Sequence, residues 1–110
     1  MQPVRNISPQ DFAVVNQTPD TATPTLIDVR EPWEFKIAHI GGATLLPLGQ
    51  IYEWARTLDT AASYVVMCHH GGRSAMACEI LQGLGFNDVK NLDGGIDAWS
   101  LVVDSSIARY

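Results

Sequence analysis

Residues 68–74, Cys-His-His-Gly-Gly-Arg-Ser, combine a nucleophilic side chain with a loop that can bind an anion. Glycines let backbone N–H groups point toward one place, and the helix predicted after the loop adds its unpaired N–H groups and the positive end of its dipole. A thiolate is also an anion, so this loop makes the thiol of Cys68 easier to ionise. Arg73 adds a permanent positive charge and a planar fork for an oxyanion. We therefore predict that Cys68 is a nucleophile beside a site for a negatively charged substrate.

This segment has two other interpretations. A cysteine at the end of an apolar strand is often an inert core residue, but an inert position needs no anion-binding loop. Cys68, His69 and His70 are also residue types that bind metal ions. Adjacent residues on one tight loop do not converge easily on one ion, and no fourth ligand is close in sequence. We expect no metal, and we expect both histidines at the surface or rim of the site.

Other side chains near the loop have simpler expected roles. Cys78 lies in the helix after the loop, where a buried, unreactive thiol is the favoured interpretation. The alternative is a disulfide with Cys68, which requires Cα atoms closer than about 7 Å. His39 is expected to make a structural hydrogen bond. Asp28 and Arg30 are expected to pair, and a contribution of Arg30 to the positive field over the site stays open.

Short apolar runs alternate with helical patterns along the chain, which is typical of a parallel sheet. Residues 64–68 show no polar alternation, so both faces of that strand are expected to be buried. Apolar residues spaced by three and four predict helices over 48–58 and 73–84. The predicted fold class is α/β, with a mostly parallel central sheet of about five strands flanked by helices on both faces. Further strands are predicted at 4–7, 26–29, 43–46 and 88–92, and further helices after Ser8 and at 31–37 and 94–99.

The first predicted helix has clear local signals. Ser8 is expected to cap it, and Pro9 suits its first position. Phe12, Val14 and Val15 are expected to face the core. Residues 16–24 are rich in threonine, proline and aspartate and predict a surface loop.

The chain has 110 residues, with 12 acidic against 7 basic side chains and 2 cysteines. One domain is expected at this length, and two cysteines are too few to stabilise a small secreted fold. The acidic excess argues against nucleic-acid and anionic-membrane partners. No apolar run approaches the ~20 residues of a membrane span, and the first residues lack the apolar core of a signal peptide. We expect a cytoplasmic monomer with free thiols.

Four segments, in the same order along the chain, resemble the motifs of rhodanese-like sulfurtransferases. Residues 68–74 resemble the active-site loop, in which a cysteine, four residues and an arginine or similar residue form a tight bowl. Residues 26–31 with 33–35 resemble the early strand and turn of that family, and residues 38–43 with Pro47 its His-Ile-x-Gly-Ala segment. Residues 92–99 resemble its closing Gly-Gly-x-x-Ala-Trp motif. The resemblance implies one rhodanese-like domain over 1–110, with a core at about 4–100 and a C-terminal tail at 101–110.

The resemblance also implies a mechanism with Cys68 as the catalytic residue. Its thiolate would attack the outer sulfur of a small anionic donor such as thiosulfate, and the persulfide would pass that sulfur to cyanide or a thiol. A protein sulfur acceptor is a further candidate partner. No metal or organic cofactor is implied, because the sulfur itself forms the covalent intermediate. The substrate-binding residues implied are His69, His70, Gly71, Gly72, Arg73 and Ser74.

Loop length and loop composition refine this expectation. Related dual-specificity phosphatases place five residues between cysteine and arginine, whereas four lie between Cys68 and Arg73, which favours sulfur over phosphate or arsenate. His69 and His70 stand where basic and small residues are common, so thiosulfate capture is expected to be weak or strongly pH-dependent. The alternative function is a sulfur-carrier or protein-binding module with little turnover of small molecules.

Overall fold

The computed structural model describes residues 3–17 and 23–110 and contains one five-stranded sheet with the order β1-β5-β4-β2-β3. Every neighbouring pair of strands is parallel. The strands are β1 (Arg5–Ile7), β2 (Thr25–Asp28), β3 (Thr44–Leu45), β4 (Ser63–Met67) and β5 (Asp88–Leu92). The α-helices are α1 (Pro9–Gln17), α2 (Pro32–Ile37), α3 (Ile51–Trp54), α4 (Gly72–Gly83) and α5 (Gly95–Val102).

Apolar side chains cover both faces of the sheet. Successive strand residues point to opposite faces, so Tyr64 and Val66 join one apolar layer whereas Val65 and Met67 join the other. The first layer contains buried residues of α3 and α4, and the second contains buried residues of α1 and α5. Strand β4 is buried on both faces at the centre of the sheet, as predicted. The predicted α/β architecture is confirmed.

Helix α1 packs through a narrower face than the sequence predicts. Ser8 caps the helix as expected, because its Oγ accepts a hydrogen bond from the backbone N–H of Asp11 at 3.1 Å. Phe12 is fully buried and packs on Trp99, with ring centroids 5.9 Å apart. The expectation that Val14 and Val15 face the core is wrong, because both are exposed. A short helix that packs mainly on one other helix, α5, buries only one narrow stripe.

Three predicted segments have different limits in the structure. The helix expected at 94–99 is α5, which begins one residue later and continues to Val102. The loop expected at 16–24 begins later, because α1 continues through Gln17, and residues 18–22 lie outside the described part of the chain. The prediction of one continuous helix over 48–58 is wrong. This segment is divided into a 3₁₀ turn at Leu48–Gln50, α3, and a second 3₁₀ turn at Ala55–Thr57. The Thr57 hydroxyl donates to the Trp54 carbonyl at 2.7 Å, which satisfies a carbonyl at the end of α3 and favours termination there.

Helix α2 turns a carboxylate, and not its apolar residues, toward the interior. Glu34 is buried, whereas Trp33 and Ile37 are exposed. The helix begins after Glu31, whose backbone N–H donates to Glu34 Oε1 at 3.1 Å. The apolar residues of α2 therefore lie on its outer face, and its inner face carries Glu34, which is held there by its hydrogen-bond partners.

Candidate active site

Cys68 lies just beyond the carboxyl end of the central strand β4 and in front of the N-terminus of α4. Its side chain is buried, with 1% of the residue exposed. The sulfur accepts hydrogen bonds from the Gly71 N–H at 3.1 Å, the Ser74 N–H at 3.4 Å and the Ser74 hydroxyl at 3.3 Å. The structure therefore brings Cys68 together with the loop and helix N–H groups that the sequence predicted to point toward one place. Such donors stabilise negative charge on the sulfur.

The N-terminus of α5 holds the loop backbone from the opposite side. The Ile96 N–H donates to the Cys68 carbonyl at 2.9 Å, and the Asp97 N–H donates to the His69 carbonyl at 3.1 Å. Gly71, at the start of α4, has φ +110°, a conformation that favours glycine. The segment 68–71 is thus fixed by backbone contacts from two helices.

The guanidinium of Arg73 is bound by Glu34 across the gap between α4 and α2. Arg73 Nη1 and Nη2 donate to the two carboxylate oxygens of Glu34 at 2.7 and 2.9 Å. Hydrogen bonding from Arg73 lowers the pKa of Glu34 to about 2, although its burial acts in the opposite direction. The oxyanion fork predicted at Arg73 is therefore occupied by a carboxylate of the protein itself. Arg73 ties α2 to the active-site loop.

Arg30 makes the expected pair with Asp28, and both side chains are fully buried. Arg30 Nε and Nη2 donate to the Asp28 carboxylate, with the shortest distance 2.7 Å. The same guanidinium donates to the Ala38 carbonyl at 2.7 Å. This pair fixes the turn between β2 and α2, and so it supports the position of Glu34.

Tyr110 joins these two ion pairs from the other end of the chain. Its hydroxyl accepts a hydrogen bond from Arg30 Nη1 at 2.8 Å and donates one to Glu34 Oε2 at 2.7 Å. Its ring stacks on the imidazole of His69, with centroids 4.0 Å apart and planes 7° apart. The tail expected at 101–110 is anchored, because the Ser100 hydroxyl donates to the Ile107 carbonyl. Sequence reasoning missed Tyr110, because no local pattern in the sequence indicates that this residue lies near the loop.

The two histidines lie at the rim, as expected, and they stack on each other. Their ring centroids are 3.9 Å apart, and His70 is exposed. Burial and the neighbouring His70 lower the pKa of His69 below its ordinary value, which favours the neutral imidazole at pH 7. Among the described residues, His69 Nε2 is a buried nitrogen without a hydrogen-bond partner.

One group of potential metal ligands lies at this rim. His69, His70 and Asp97 bring three ligand atoms within 4.8 Å of one another. The Asp97 carboxylate already accepts a hydrogen bond from Arg109 Nε at 2.9 Å. Face-to-face rings direct their in-plane nitrogen lone pairs side by side and not toward one ion. The geometry fits a rim of packed rings better than a tetrahedral site.

Buried Asn91, at the fourth position of β5, was also missed. Ser74 Oγ donates to Asn91 Oδ1, and Asn91 Nδ2 donates to the Gly71 carbonyl at 3.1 Å. The available signal was an asparagine inside a strand, next to the buried Leu92 and two positions after the buried Val89, with which it shares a face of the sheet. A polar residue there must find partners, and it finds them in the loop.

Two other residues singled out from the sequence lie outside the set of groups that donate to the Cys68 sulfur. Cys78 is a free, fully buried thiol, and burial raises its pKa to about 12. This agrees with the favoured, unreactive interpretation. His39 makes the expected structural hydrogen bond, between its Nδ1 and the Phe35 carbonyl at 3.1 Å, and stacks on the Phe35 ring. Within residues 3–17 and 23–110, no helix is long and apolar enough to cross a membrane.

Comparison with known families agrees with the geometry of the loop. The model of the rhodanese-like domain matches residues 11–101. The chain belongs to the rhodanese-like family. The resemblance inferred from four short segments is thereby confirmed over most of the chain.

Curated relatives of this rhodanese-like domain include enzymes named for sulfur transfer. The chain is 30% identical over 109 residues to thiosulfate sulfurtransferase GlpE of Ectopseudomonas mendocina, covering 99% of this chain and 96% of that protein. It is 40% identical over 116 residues to the chloroplastic rhodanese-like/PpiC domain-containing protein 12 of Arabidopsis thaliana. That match covers 99% of this chain but spans only 38% of the plant protein. Sulfur transfer is thus supported at the level of the family.

Solved structures show the same fold. A rhodanese-related protein from Thermoplasma volcanium superposes with a TM-score of 0.76 at 35% identity, covering 86% of this chain and 89% of that one. A rhodanese-like domain protein from Staphylococcus aureus superposes with a TM-score of 0.82 at 24% identity, covering 97% and 99%. The five-stranded parallel sheet of this rhodanese-like domain is therefore the architecture of its family.

Proposed function

We propose that this domain transfers sulfane sulfur through a persulfide on Cys68. The observation that carries the proposal is the set of donors on one sulfur, from the N–H groups of Gly71 and Ser74 and the hydroxyl of Ser74, at 3.1, 3.4 and 3.3 Å. These donors favour a thiolate, which is the nucleophilic form of cysteine. The names of the GlpE relatives support thiosulfate as the first donor to test.

The proposed loading step is a displacement at sulfur. The Cys68 thiolate attacks the outer sulfur of thiosulfate, the S–S bond of the donor breaks, and sulfite leaves with the electron pair. Negative charge then lies on the outer sulfur of the persulfide. The proposed substrate-binding segment is the loop, in which the N–H groups of Gly71 and Ser74 point toward the Cys68 sulfur. It comprises His69, His70, Gly71, Gly72, Arg73 and Ser74.

The proposed unloading step regenerates the thiolate. Cyanide or a thiolate attacks the outer sulfur, the bond between the two sulfurs breaks, and Cys68 leaves with the electron pair. With cyanide the product is thiocyanate. Glu34 binds both terminal nitrogens of Arg73, so Arg73 contributes a positive electrostatic potential and fixes the position of the loop. Direct contacts to the sulfur donor come from backbone N–H groups.

A second candidate function is a sulfur carrier for a protein acceptor. The observation that favours it is Trp33, which is 60% exposed and lies next to Glu34 on α2. Exposed tryptophans are enriched where proteins bind one another. A carrier predicts saturable sulfur delivery to a protein thiol with negligible thiocyanate formation.

The test is a pair of cysteine variants in a thiocyanate assay. Cys68→Ser is expected to abolish transfer and to leave the far-ultraviolet circular dichroism unchanged. Cys78→Ala is the matched control, because burial raises the pKa of the Cys78 thiol and keeps it protonated, and this variant should retain transfer. Undiminished transfer by Cys68→Ser would overturn the proposal.

A further inference from the structure

Asn91 is bonded to both loop residues that donate to the Cys68 sulfur. Its side chain lies under the loop, with 6% of the residue exposed. Its Oδ1 accepts from the Ser74 hydroxyl, and its Nδ2 donates to the Gly71 carbonyl at 3.1 Å. A second bond from Nδ2, to Asn6 Oδ1 at 3.2 Å, fixes the orientation of the amide. Every polar atom of the Asn91 side chain is therefore engaged.

The Ser74 hydroxyl has one hydrogen and two acceptors. One acceptor is Cys68 Sγ at 3.3 Å, and the other is Asn91 Oδ1. A hydroxyl donates to one of these at a time. When Sγ carries a full negative charge it attracts that hydrogen strongly, but the buried oxygen of Asn91 is then left without its donor.

Persulfide formation moves the charge and so changes this competition. In the thiolate, the charge is on Sγ. In the persulfide, Sγ is bonded to carbon and to a second sulfur, and the charge lies one atom further out. The Ser74 hydrogen is then free to return to Asn91 Oδ1, and no buried acceptor is left unpaired.

We infer that Asn91 is a positioning residue, which acts through the Ser74 hydroxyl to disfavour charge on Cys68 Sγ and so favours the sulfur-loaded state. The inference rests on the proposed function, because it assumes that Cys68 is the sulfur that is loaded. Asn91 does not touch the donor or the reacting atoms. It acts by drawing the Ser74 hydroxyl hydrogen away from Cys68 Sγ and toward its own Oδ1.

The charged groups around the sulfur stay the same when Asn91 is changed. Arg73 of α4 is paired with Glu34 of α2, and Arg30 after β2 is paired with Asp28. His69 and His70 follow on the loop, and Asp97 of α5 faces His70 at 3.8 Å. A shift caused by substitution of Asn91 can therefore be assigned to the hydroxyl or to the new side chain.

The test measures the ultraviolet absorbance of the thiolate against pH, without any sulfur donor, in a Cys78→Ala background. In Asn91→Ala the Ser74 hydrogen is available to Sγ alone, so the midpoint is expected to fall by roughly one pH unit, about tenfold in the thiolate:thiol ratio. Asn91→Asp, which keeps the side-chain shape, is expected to raise the midpoint, because a carboxylate competes more strongly for the hydrogen and repels the thiolate. Asn87→Ala, which changes an exposed asparagine just before β5, is the control and should leave the midpoint unchanged.

A double variant separates this role from loosening of the loop. In a Ser74→Ala background, Asn91→Ala is expected to cause no further shift, since the shared hydrogen is gone. The inference is overturned if the shift persists without Ser74, or if Asn91→Ala and Asn91→Asp move the midpoint in the same direction. The proposed function fails separately, if Cys68 takes up no sulfur while these shifts appear as expected.

Discussion

Gly95 lies directly against the backbone carbonyl of Cys68. A Cβ at Gly95 would overlap the carbonyl oxygens of both Cys68 and His69. Gly95 also has φ +62°, and the next two N–H groups of α5 donate to those same carbonyls. The second glycine of the closing motif is thus required because the start of α5 touches the loop that presents the sulfur.

This contact predicts a severe effect for Gly95→Ala. The strained conformation and the overlap with backbone atoms together are expected to cost about 2–4 kcal/mol in the free energy of unfolding. Urea denaturation followed by circular dichroism measures it. Gly49→Ala is the matched control, because a Cβ there meets nothing within 4 Å, and we expect a change within about 0.5 kcal/mol. Equal stability of the two variants would contradict the packing described for α5.

Glu34→Gln is expected to change how stability depends on pH. The pKa of Glu34 in the folded protein is about 2, below its ordinary value, chiefly because Arg73 donates to it. A lowered carboxyl pKa stabilises the fold above the ordinary pKa, and that contribution disappears as pH falls toward 2. The free energy of unfolding of the wild type should exceed that of Glu34→Gln by about 3 kcal/mol near neutral pH. This difference should shrink as the pH falls below about 5.

Denaturation midpoints from pH 7 to pH 3 test the Glu34 prediction. Glu53→Gln, on the exposed face of α3, reports what removal of a surface carboxylate does by itself. A difference between wild type and Glu34→Gln that stays constant across this range would show that the ion pair does not supply the stability.

Arg73→Lys is expected to impair transfer although it conserves the charge. A lysine cannot donate in parallel to both oxygens of Glu34, so the tie between α2 and the loop weakens. We expect kcat/KM with thiosulfate and cyanide to fall about tenfold, the equivalent of one charge-assisted hydrogen bond. Activity equal to wild type would indicate that only the charge of Arg73 matters.

Tyr110→Phe separates the hydroxyl of Tyr110 from its ring. Loss of the hydroxyl leaves Arg30 Nη1 without one acceptor and Glu34 without one donor, at an expected cost of about 1–3 kcal/mol in stability. The stack on His69 is retained in this variant and lost in Tyr110→Leu. The ring of Tyr110 covers one face of His69, so only Tyr110→Leu should raise the pKa of His69 toward its ordinary value, which NMR titration measures. The same His69 titration in both variants would argue against the stack.

The sequence predicts the fold well where the signals are local. An apolar run without polar alternation marks β4, glycines mark the loop, and Ser8 marks the start of α1, and each lies where expected. The prediction of a continuous helix at 48–58 is wrong because apolar spacing does not reveal that the Thr57 hydroxyl bonds to the Trp54 carbonyl inside that segment. Spacing also cannot distinguish an inner from an outer face, which is why Val14 and Val15 were misplaced.

The candidate site is predicted only in part, and for a related reason. Cys68 and its loop are contiguous, so their spacing is visible in the sequence. Glu34 contacts Arg73 of the loop from 39 positions away in the sequence, and Tyr110 contacts Glu34 from 76 positions away. Asn91 reaches Ser74 across 17 positions. Such contacts are created by the sheet order, and no local pattern encodes them.

The most direct test of the account is the intact mass of the protein after incubation with thiosulfate, followed by addition of cyanide. The account predicts a gain of one sulfur atom that disappears with cyanide, is absent in Cys68→Ala and is retained in Cys78→Ala. If the first donor fails, the same measurement with a low-molecular-weight persulfide tests a different sulfur source. No gain with either donor, or the same gain in Cys68→Ala, would contradict a persulfide on Cys68.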